Sequence, residues 1–323
     1  MPTKDSVLEL LEKNRGAYIS GAAAADALGI TRTAVWKAVK VLQDEGYEIT
    51  AATNKGYMLA EDSDVLSPSL IKQLLDGAIP PERIEVSRCV SSTLDVAKKL
   101  AEQGAPEGTV IIAQEQTAGR GRRGRKFFSP RDTGVYISIL LRPALPAERA
   151  VLITTATAVA ACDAIESVTG VSAGIKWVND IFVSGKKVSG ILTEASYSME
   201  SGCLDYAALG IGLNVYPPKG GFPEEIAGTA GSILRSRQPD ARSRLAAAFV
   251  RRFMEIYADL DSAGFVDEYR RRSVVIGKRI SVISASGTRA AEAVDIDGEC
   301  RLIVRYDDGE TAALSSGEIS IRL

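Results

Sequence analysis

Histidine is absent from this 323-residue chain. Its absence excludes a Ser-His-Asp triad, a Cys-His nucleophile pair and any histidine-ligated zinc site. Chemistry must come from Lys, Arg, Asp, Glu or backbone groups. Cysteine is scarce: Cys89, Cys162, Cys203 and Cys300 stand apart, with no Cys-x-x-Cys pair. That pattern fits a reduced, cytoplasmic location rather than a disulfide framework. No apolar run reaches the roughly eighteen residues that span a bilayer, and Met1 to Asn14 is charged and amphipathic rather than signal-like. No membrane partner is expected. A net charge of −2 argues against a protein that coats nucleic acid, while leaving room for a local basic face. Apolar content of 46% and charged content of 25% are those of a globular protein, and the length predicts two or three domains.

Against that balanced background, Gly119-Arg120-Gly121-Arg122-Arg123-Gly124-Arg125-Lys126 places five cations and three glycines in eight residues. Glycine permits positive φ and close approach of backbone to a ligand. Arginine supplies planar donor forks for phosphate or carboxylate. The combination predicts a loop that wraps an anion. The spacing also matches Gly-x-Gly-x-x-Gly, but a dinucleotide fold needs a strand running straight into that turn and a helix leaving it. Here six mostly polar residues separate Ile112 from Gly119, and Pro130 discourages a long helix after Gly124. Phe127 and Phe128 follow directly, which points to burial or ligand contact rather than a solvated basic tract.

The first sixty residues have their own pattern. Val7, Leu8 and Leu11 mark a short helix; Ser20 caps a second, Gly21 to Leu28, which Gly29 ends; Thr31 caps a third, running to about Glu45. In the third helix Val35, Val39 and Leu42 form a buried stripe, with Arg32, Thr33, Trp36, Lys37 and Lys40 opposite. Tyr47–Thr50 and Gly56–Leu59 predict a hairpin with Lys55 near its tip. This is the order of a winged helix-turn-helix, whose basic face would enter the major groove while the hairpin tip, with Lys55, touches DNA beside it. A helical interaction domain that never meets DNA is the alternative. The cations are segregated onto the third helix, which favours DNA. Trp36 would contact a thymine methyl or a sugar, or else cover a domain interface.

Residues 61–84 read as a linker and a short helix. Beyond them, strand-like runs at Arg83–Val86, Thr109–Ala113, Val135–Leu141, Gly174–Val178, Lys187–Glu194 and Tyr206–Val215 alternate with helical stretches at Leu94–Gln103, Ala147–Thr169, Ala241–Ser262 and Phe265–Arg272. They predict a mixed-sheet α/β or α+β domain. Ser91-Ser92-Thr93 opens a helix and reads as an ordinary cap, or as a polar ligand site. Lys176, Asp180 and Lys187 concentrate in a hairpin turning at Ser184-Gly185. Gly210 and Gly212 sit within a strand, where glycine marks close approach. From Ile280, five short strand-like runs with turns at Ser286-Gly287, Asp297-Gly298, Asp307-Asp308-Gly309 and Ser316-Gly317 predict a small barrel.

Taken in order, the Gly119–Lys126 loop with Phe128-Ser129-Pro130, Lys176-Trp177-x-Asn179-Asp180, Lys187-x-x-Gly190-Ile191-Leu192 and Gly212-x-Asn214 resemble the biotin–protein ligases. The leading winged helix resembles the bifunctional class that also represses biotin genes. The resemblance implies a multidomain α+β chain: a winged helix-turn-helix over residues 1–62, a mixed α/β ligase domain over 63–273, and an SH3-like barrel over 274–323. It implies that biotin and Mg·ATP give biotinyl-5′-adenylate, which a lysine of a biotin carboxyl carrier domain attacks. By position, Ser92, Thr93, Gln116, Gly119, Arg120, Gly121, Arg122, Lys187, Gly190, Gly212 and Asn214 would bind biotin or the adenylate. Lys187, Arg122 and Asp180 would carry the chemistry, with Asp180 orienting the acceptor lysine or lying near the Mg²⁺ that enters with ATP; no protein metal motif is present. Biotinyl-adenylate would act as corepressor, favouring a homodimer on operator DNA. Leu94, Phe127 and Val178 stand where the family commonly has Asn, Trp and Pro. The rivals are a regulator with a non-catalytic ligand domain and a lipoyl- or octanoyl-transfer enzyme of the same fold.

Overall fold

The computed structural model describes residues 3–75, 77–197, 202–284, 287–315 and 318–320. The chain gathers into two compact units, one of residues 1–70 with 236–243, the other of 71–235 with 244–323.

In the first unit, α1 (Thr3–Glu12), α2 (Gly21–Leu28) and α3 (Arg32–Asp44) precede the hairpin of β1 (Ile49–Ala52) and β2 (Gly56–Leu59). The predicted caps form. Ser20 Oγ accepts from Ala23 N–H at 3.0 Å and Thr31 Oγ1 from Ala34 N–H at 3.1 Å, while Gly29 turns the chain at φ 64°. Each hydroxyl cap contributes about 1 kcal/mol. Val7, Leu8, Leu11, Val35, Val39, Leu42, Ile49 and Leu59 make the core. In the wing Ile49 pairs with Leu59, and Ile19 bridges Tyr57. A side chain at Gly56 would collide with the Ile19 carbonyl, so glycine is required there.

The expected linker differs from the structure at its start. Ser63, Asp64, Val65, Leu66 and Ser67 are buried, not solvated. Asp64 pairs with Arg242, both essentially inaccessible: Asp64 Oδ1 accepts from Arg242 N–H at 3.0 Å and Oδ2 from its Nε–H at 3.3 Å. Ser243 Oγ accepts from Ser67 N–H at 3.0 Å. The partners lie some 176–178 positions downstream, so local composition could not announce this burial.

The second unit begins with α4 (Pro68–Leu74), which straddles the division. Its sheet is built from β3 (Ile84–Ser87), β4 (Thr109–Ala113), β5 (Gly134–Leu141), β6 (Gly174–Lys176), β7 (Asp180–Val183), β8 (Lys186–Tyr197) and β9 (Leu204–Asn214). The order is β3-β4-β5-β9-β8-β7-β6, parallel at β3–β4 and antiparallel elsewhere. Helix α5 (Thr93–Glu102) packs on β4, β5 and β9. Helix α6 (Val151–Thr169) packs on β6, β7 and β8. Three boundaries differ from expectation: a separate turn over Ala147–Arg149 precedes α6, the Gly174 strand stops at Lys176, and the helix from Ala241 stops at Tyr257.

Ala147–Thr169 is long and apolar enough, by length and composition, to cross a membrane, contrary to the expectation from uninterrupted runs. Most of its apolar side chains are instead packed inside the unit, with Ile153, Ala156, Val159 and Ile165 fully buried.

After α7 (Glu224–Ala227), α8 (Ala241–Tyr257) and α9 (Val266–Arg271) come β10 (Arg279–Ser284), β11 (Gly287–Ile296), β12 (Leu302–Tyr306), β13 (Thr311–Leu314) and β14 (Glu318–Ser320). These form a five-stranded antiparallel sheet ordered β13-β12-β11-β10-β14, of the SH3-like kind expected. Asp297 Oδ1 accepts from Glu299 N–H and Arg301 N–H to make the β11–β12 turn. Of the other expected turn residues, Ser286, Ser316 and Gly317 lie outside the described residues.

Candidate active site

One cavity of about 520 Å³ opens on the sheet of the second unit. Its floor is made by absence of side chains. Gly190 on β8 and Gly212 on β9 are direct cross-strand partners. The Phe127 ring lies on both: a methyl group at Gly212 would fall 2.3 Å from its Cε1, and one at Gly190 would be 3.2 Å from its Cε2. Leu94 lies over Gly210 in the same way, at 2.7 Å. Phe127 also meets the edge of Tyr136 on β5, centroids 6.4 Å apart.

The first turn of α5 forms one wall. Ser92 occupies the N-cap position, yet its hydroxyl makes no cap bond, which departs from the ordinary-cap reading. The capping acceptor is Gln116, whose Oε1 takes the Thr93 N–H at 2.9 Å and the Thr93 hydroxyl at 3.1 Å. Gln116 Nε2 donates to Ser129 Oγ at 3.0 Å, and Ser138 Oγ donates to Thr93 Oγ1 at 2.9 Å. This chain fixes Gln116 and Thr93 while leaving the buried Ser92 Oγ with no protein partner. A buried hydroxyl without a partner is costly, and a polar ligand at the cavity would satisfy it.

The glycine-arginine loop also lines the cavity. Gly121 N–H bonds the Arg125 carbonyl at 2.7 Å, and Phe127 N–H bonds the Gly119 carbonyl at 2.9 Å. Arg123 and Gly124 take positive φ, 56° and 72°. Arg122–Gly124 makes a single tight turn and no helix, as the rejection of a dinucleotide fold required. A side chain at Gly119 would strike the Phe127 carbonyl at 2.4 Å.

Several cations of the cavity have partners. Lys187 Nζ lies 2.6 Å from Asp180 Oδ1. Arg122 Nη1–H donates to Asn179 Oδ1 at 3.0 Å, and Asn179 in turn donates to the Ile191 carbonyl at 2.9 Å. Arg120 lines the cavity, but its guanidinium reaches Asp95 and Glu194, each at 2.6 Å. Asp95 holds the Arg120 proton more firmly than usual, raising its pKa. Asn214 lines the cavity and donates to the Gly231 carbonyl at 3.2 Å. Asp180 is the one carboxylate among the described lining residues, and no group of three potential metal ligands occurs among the described residues.

Residues outside the predicted site set brace this cavity. Tyr269, fully buried on α9, donates its hydroxyl to the Val178 carbonyl at 3.0 Å. Burial pushes that phenol well above its ordinary pKa, so it stays a donor. Trp177 Nε1–H donates at 3.0 Å to the Cys300 carbonyl in the β11–β12 turn. The peptide joining Trp177 to Val178 is cis. Phe222, Ile226 and Thr229 line the cavity from the segment after β9, where Lys187 N–H bonds the Thr229 carbonyl at 2.8 Å. Ile319 of β14 lines it too. Tyr269, Phe222, Ile226, Thr229 and Ile319 carry no local signal that would have placed them here.

In the first unit the residues expected to meet DNA lie on the surface. Arg32, Thr33, Lys37 and Lys40 are exposed, Trp36 is 50% exposed, and Lys55 stands over the Tyr18 ring at 5.6 Å.

Residues 3–58 match a family described as HTH domain, 86–214 the biotin/lipoate A/B protein ligase family, and 275–322 the biotin protein ligase C-terminal domain. The chain is 34% identical over 310 residues to the bifunctional ligase/repressor BirA of Bacillus subtilis, covering 95% of each. It is 25% identical to BirA of Escherichia coli over 312 residues, covering 95% of this chain and 94% of the relative. Among solved structures, the biotin protein ligase of Aquifex aeolicus in complex with biotin and ATP aligns with a TM-score of 0.61 at 26% identity, covering 74% of this chain and 98% of that one.

Proposed function

This chain belongs to the BirA-type bifunctional ligase/repressors, and we propose that its cavity activates biotin with Mg·ATP and then donates it to a lysine of a biotin carboxyl carrier domain. One observation carries the reading of the site. A glycine-floored cavity is lined by an unpartnered buried hydroxyl, by Lys187 and Arg122, and by an arginine-glycine loop. That is a place for a compact polar ring at Ser92 and for two anions to meet beside cations.

Ser92, Thr93 and Gln116 receive the polar head of biotin, and Gly190 and Gly212 admit its body against Phe127. Lys187 draws the biotin carboxylate to the α-phosphate of ATP. A compact ammonium offsets the repulsion between the two anions and the charge that develops as the carboxylate oxygen attacks phosphorus and pyrophosphate leaves. Asp180 holds Lys187 until those anions arrive, and it faces the acceptor amine in the second step or the Mg²⁺ of the substrate complex. Arg122 and the glycine-arginine loop line the phosphate side. Asn214 keeps the end of β9 in place. The closed loop keeps water from the mixed anhydride. No imidazole is needed, since the transfer depends on positioning and charge.

The domain limits 1–62, 63–273 and 274–323 follow from the same reading. Arg32, Thr33, Trp36, Lys37, Lys40 and Lys55 contact operator DNA, and the adenylate-bound chain acts as a cytoplasmic homodimer whose two heads meet two half-sites.

The test supplies biotin, Mg·ATP and an apo carrier domain, and follows pyrophosphate release and biotin incorporation. Adenylate formation followed by acceptor labelling is expected; neither product would end the ligase reading. For the repressor, a biotin-gene operator fragment should shift only with biotin and ATP present, with affinity falling steeply in salt.

A further inference from the structure

We propose that Asp95 and Glu194 are positioning residues for the ligase reaction, holding the Arg120 guanidinium and so fastening the glycine-arginine loop over the cavity. This rests on the ligase reading above. Arg120 comes from the loop, Asp95 from the first turn of α5 and Glu194 from β8. Nη1 of Arg120 lies 2.6 Å from Asp95 Oδ1, and Nη2 lies 2.6 Å from Glu194 Oε1. The second oxygen of Glu194 is 2.8 Å from Lys98 Nζ. Asp95, Arg120, Glu194 and Lys98 therefore alternate in sign. Three of the four belong to α5 and β8, and together they carry one net negative charge. Arg120, the loop's cation, offsets it.

The fork geometry matters. A planar guanidinium can span two carboxylates on different elements, where an ammonium would hold one firmly. At the loop's start, Ala118 N–H bonds the Ser91 carbonyl at 2.8 Å. Between that anchor and Phe127, Arg120's fork and Arg122's bond to Asn179 tie the loop to other elements. Among the described residues lining the cavity neither Asp95 nor Glu194 is found. Their removal loosens the loop without deleting a ligand contact. Single exposed ion pairs count for little, but here two carboxylates, 43% and 27% exposed, converge on one fork in a charge network.

The experiment forms biotinyl-adenylate on the full chain without an acceptor and follows its escape as biotin and AMP. In Asp95→Asn with Glu194→Gln, escape should quicken roughly 3- to 10-fold, the size expected for a partly exposed charge network. The burst of adenylate formation should stay within about twofold of wild type, because only release is loosened. Asp95→Glu should restore retention. Salt near 0.5 M should speed escape from wild type and leave the double variant unmoved, since screening acts on the same contacts. Adding both acid substitutions to Arg120→Ala should change nothing further. Unaltered escape in the double variant, or acid effects that persist without Arg120, overturns the proposal. Should the double variant melt early or lose its circular dichroism spectrum, the wild-type salt series decides, and salt-independent escape overturns it. A wild-type chain that makes no adenylate overturns the ligase reading instead.

Discussion

Helix α3 and the Gly119–Lys126 loop are both basic, yet they hold their charges differently. On α3, Arg32, Lys37 and Lys40 are exposed, and none of them makes an ion pair among the described residues. In the cavity, Arg120, Arg122 and Lys187 each rest on a named carboxylate or amide. An unpaired cationic face suits a polyanion that is met at long range and released by salt. Paired cations in a half-closed site suit one small anion, which must displace the internal partner in a fixed geometry. Similar composition thus serves two chemistries, and the partner of each charge tells them apart.

The comparison is tested most severely at Lys187. Lys187→Ala should slow adenylation by about 10²- to 10³-fold, the range for losing one charge-stabilising donor. Rapid-quench measurement of pyrophosphate checks this, and salt-dependent binding to non-operator DNA should not change. An unaltered adenylation rate would remove Lys187 from the chemistry.

Next in size is the cavity floor. In Gly212→Ala the new methyl would sit 2.3 Å from the Phe127 ring, so the ring and the loop behind it must shift. Overpacking of this kind costs about 1–3 kcal/mol, which is roughly 5- to 150-fold in biotin affinity if the shift opposes binding. Calorimetry of biotin binding measures it. Phe127→Val on the same background should recover part of the loss, because the smaller side chain frees the space. No recovery would mean that the glycine serves the strand and not the ring.

The head supplies the opposite arm. Lys37→Ala with Lys40→Ala should weaken DNA binding at moderate salt by about tenfold and flatten the slope of log K against log salt by about 2, one unit per lost phosphate contact. Biotin transfer should be untouched. A retained slope would mean that the α3 face does not meet phosphate.

These outcomes track what the residues announced. Ser20, Gly29 and Thr31 are short-range signals, and the helices they bound fell where expected because a cap acts within one turn. The Gly190–Gly212 platform was half legible: glycine in a strand signalled close approach, but not that Phe127 is what approaches. Gln116 was placed at the site by motif, while its work as the cap of α5 depends on a partner 23 residues away. Tyr269 and the buried Asp64–Arg242 pair were invisible, since their partners are 91 and 178 positions distant. Charge type was legible throughout; the partner of each charge was not, because pairing is settled by tertiary packing.

The smallest effect lies at Glu12, where the head hides a charge instead of showing it. Burial, then the nearby Asp240, raises its pKa above the ordinary 4.5, and Oε1 has no hydrogen-bond partner. For a carboxyl group whose folded pKa is raised, the unfolded chain ionises first. The favourable contribution is complete below pH 4.5 and is lost as pH rises through the folded value. At pH 7 the ionised group therefore burdens the fold. Glu12→Gln keeps the shape and removes the charge, so it should raise the thermal midpoint of the head modestly at pH 7. Arg15 nearby, which lowers the pKa in part, limits the size of the gain. The difference between variant and wild type should shrink as pH falls below 4.5, where the wild-type side chain becomes neutral in both states. Melting curves across that range read the sign directly. A variant less stable at pH 7 than wild type would show that the Glu12 charge serves Arg15 more than burial penalises it.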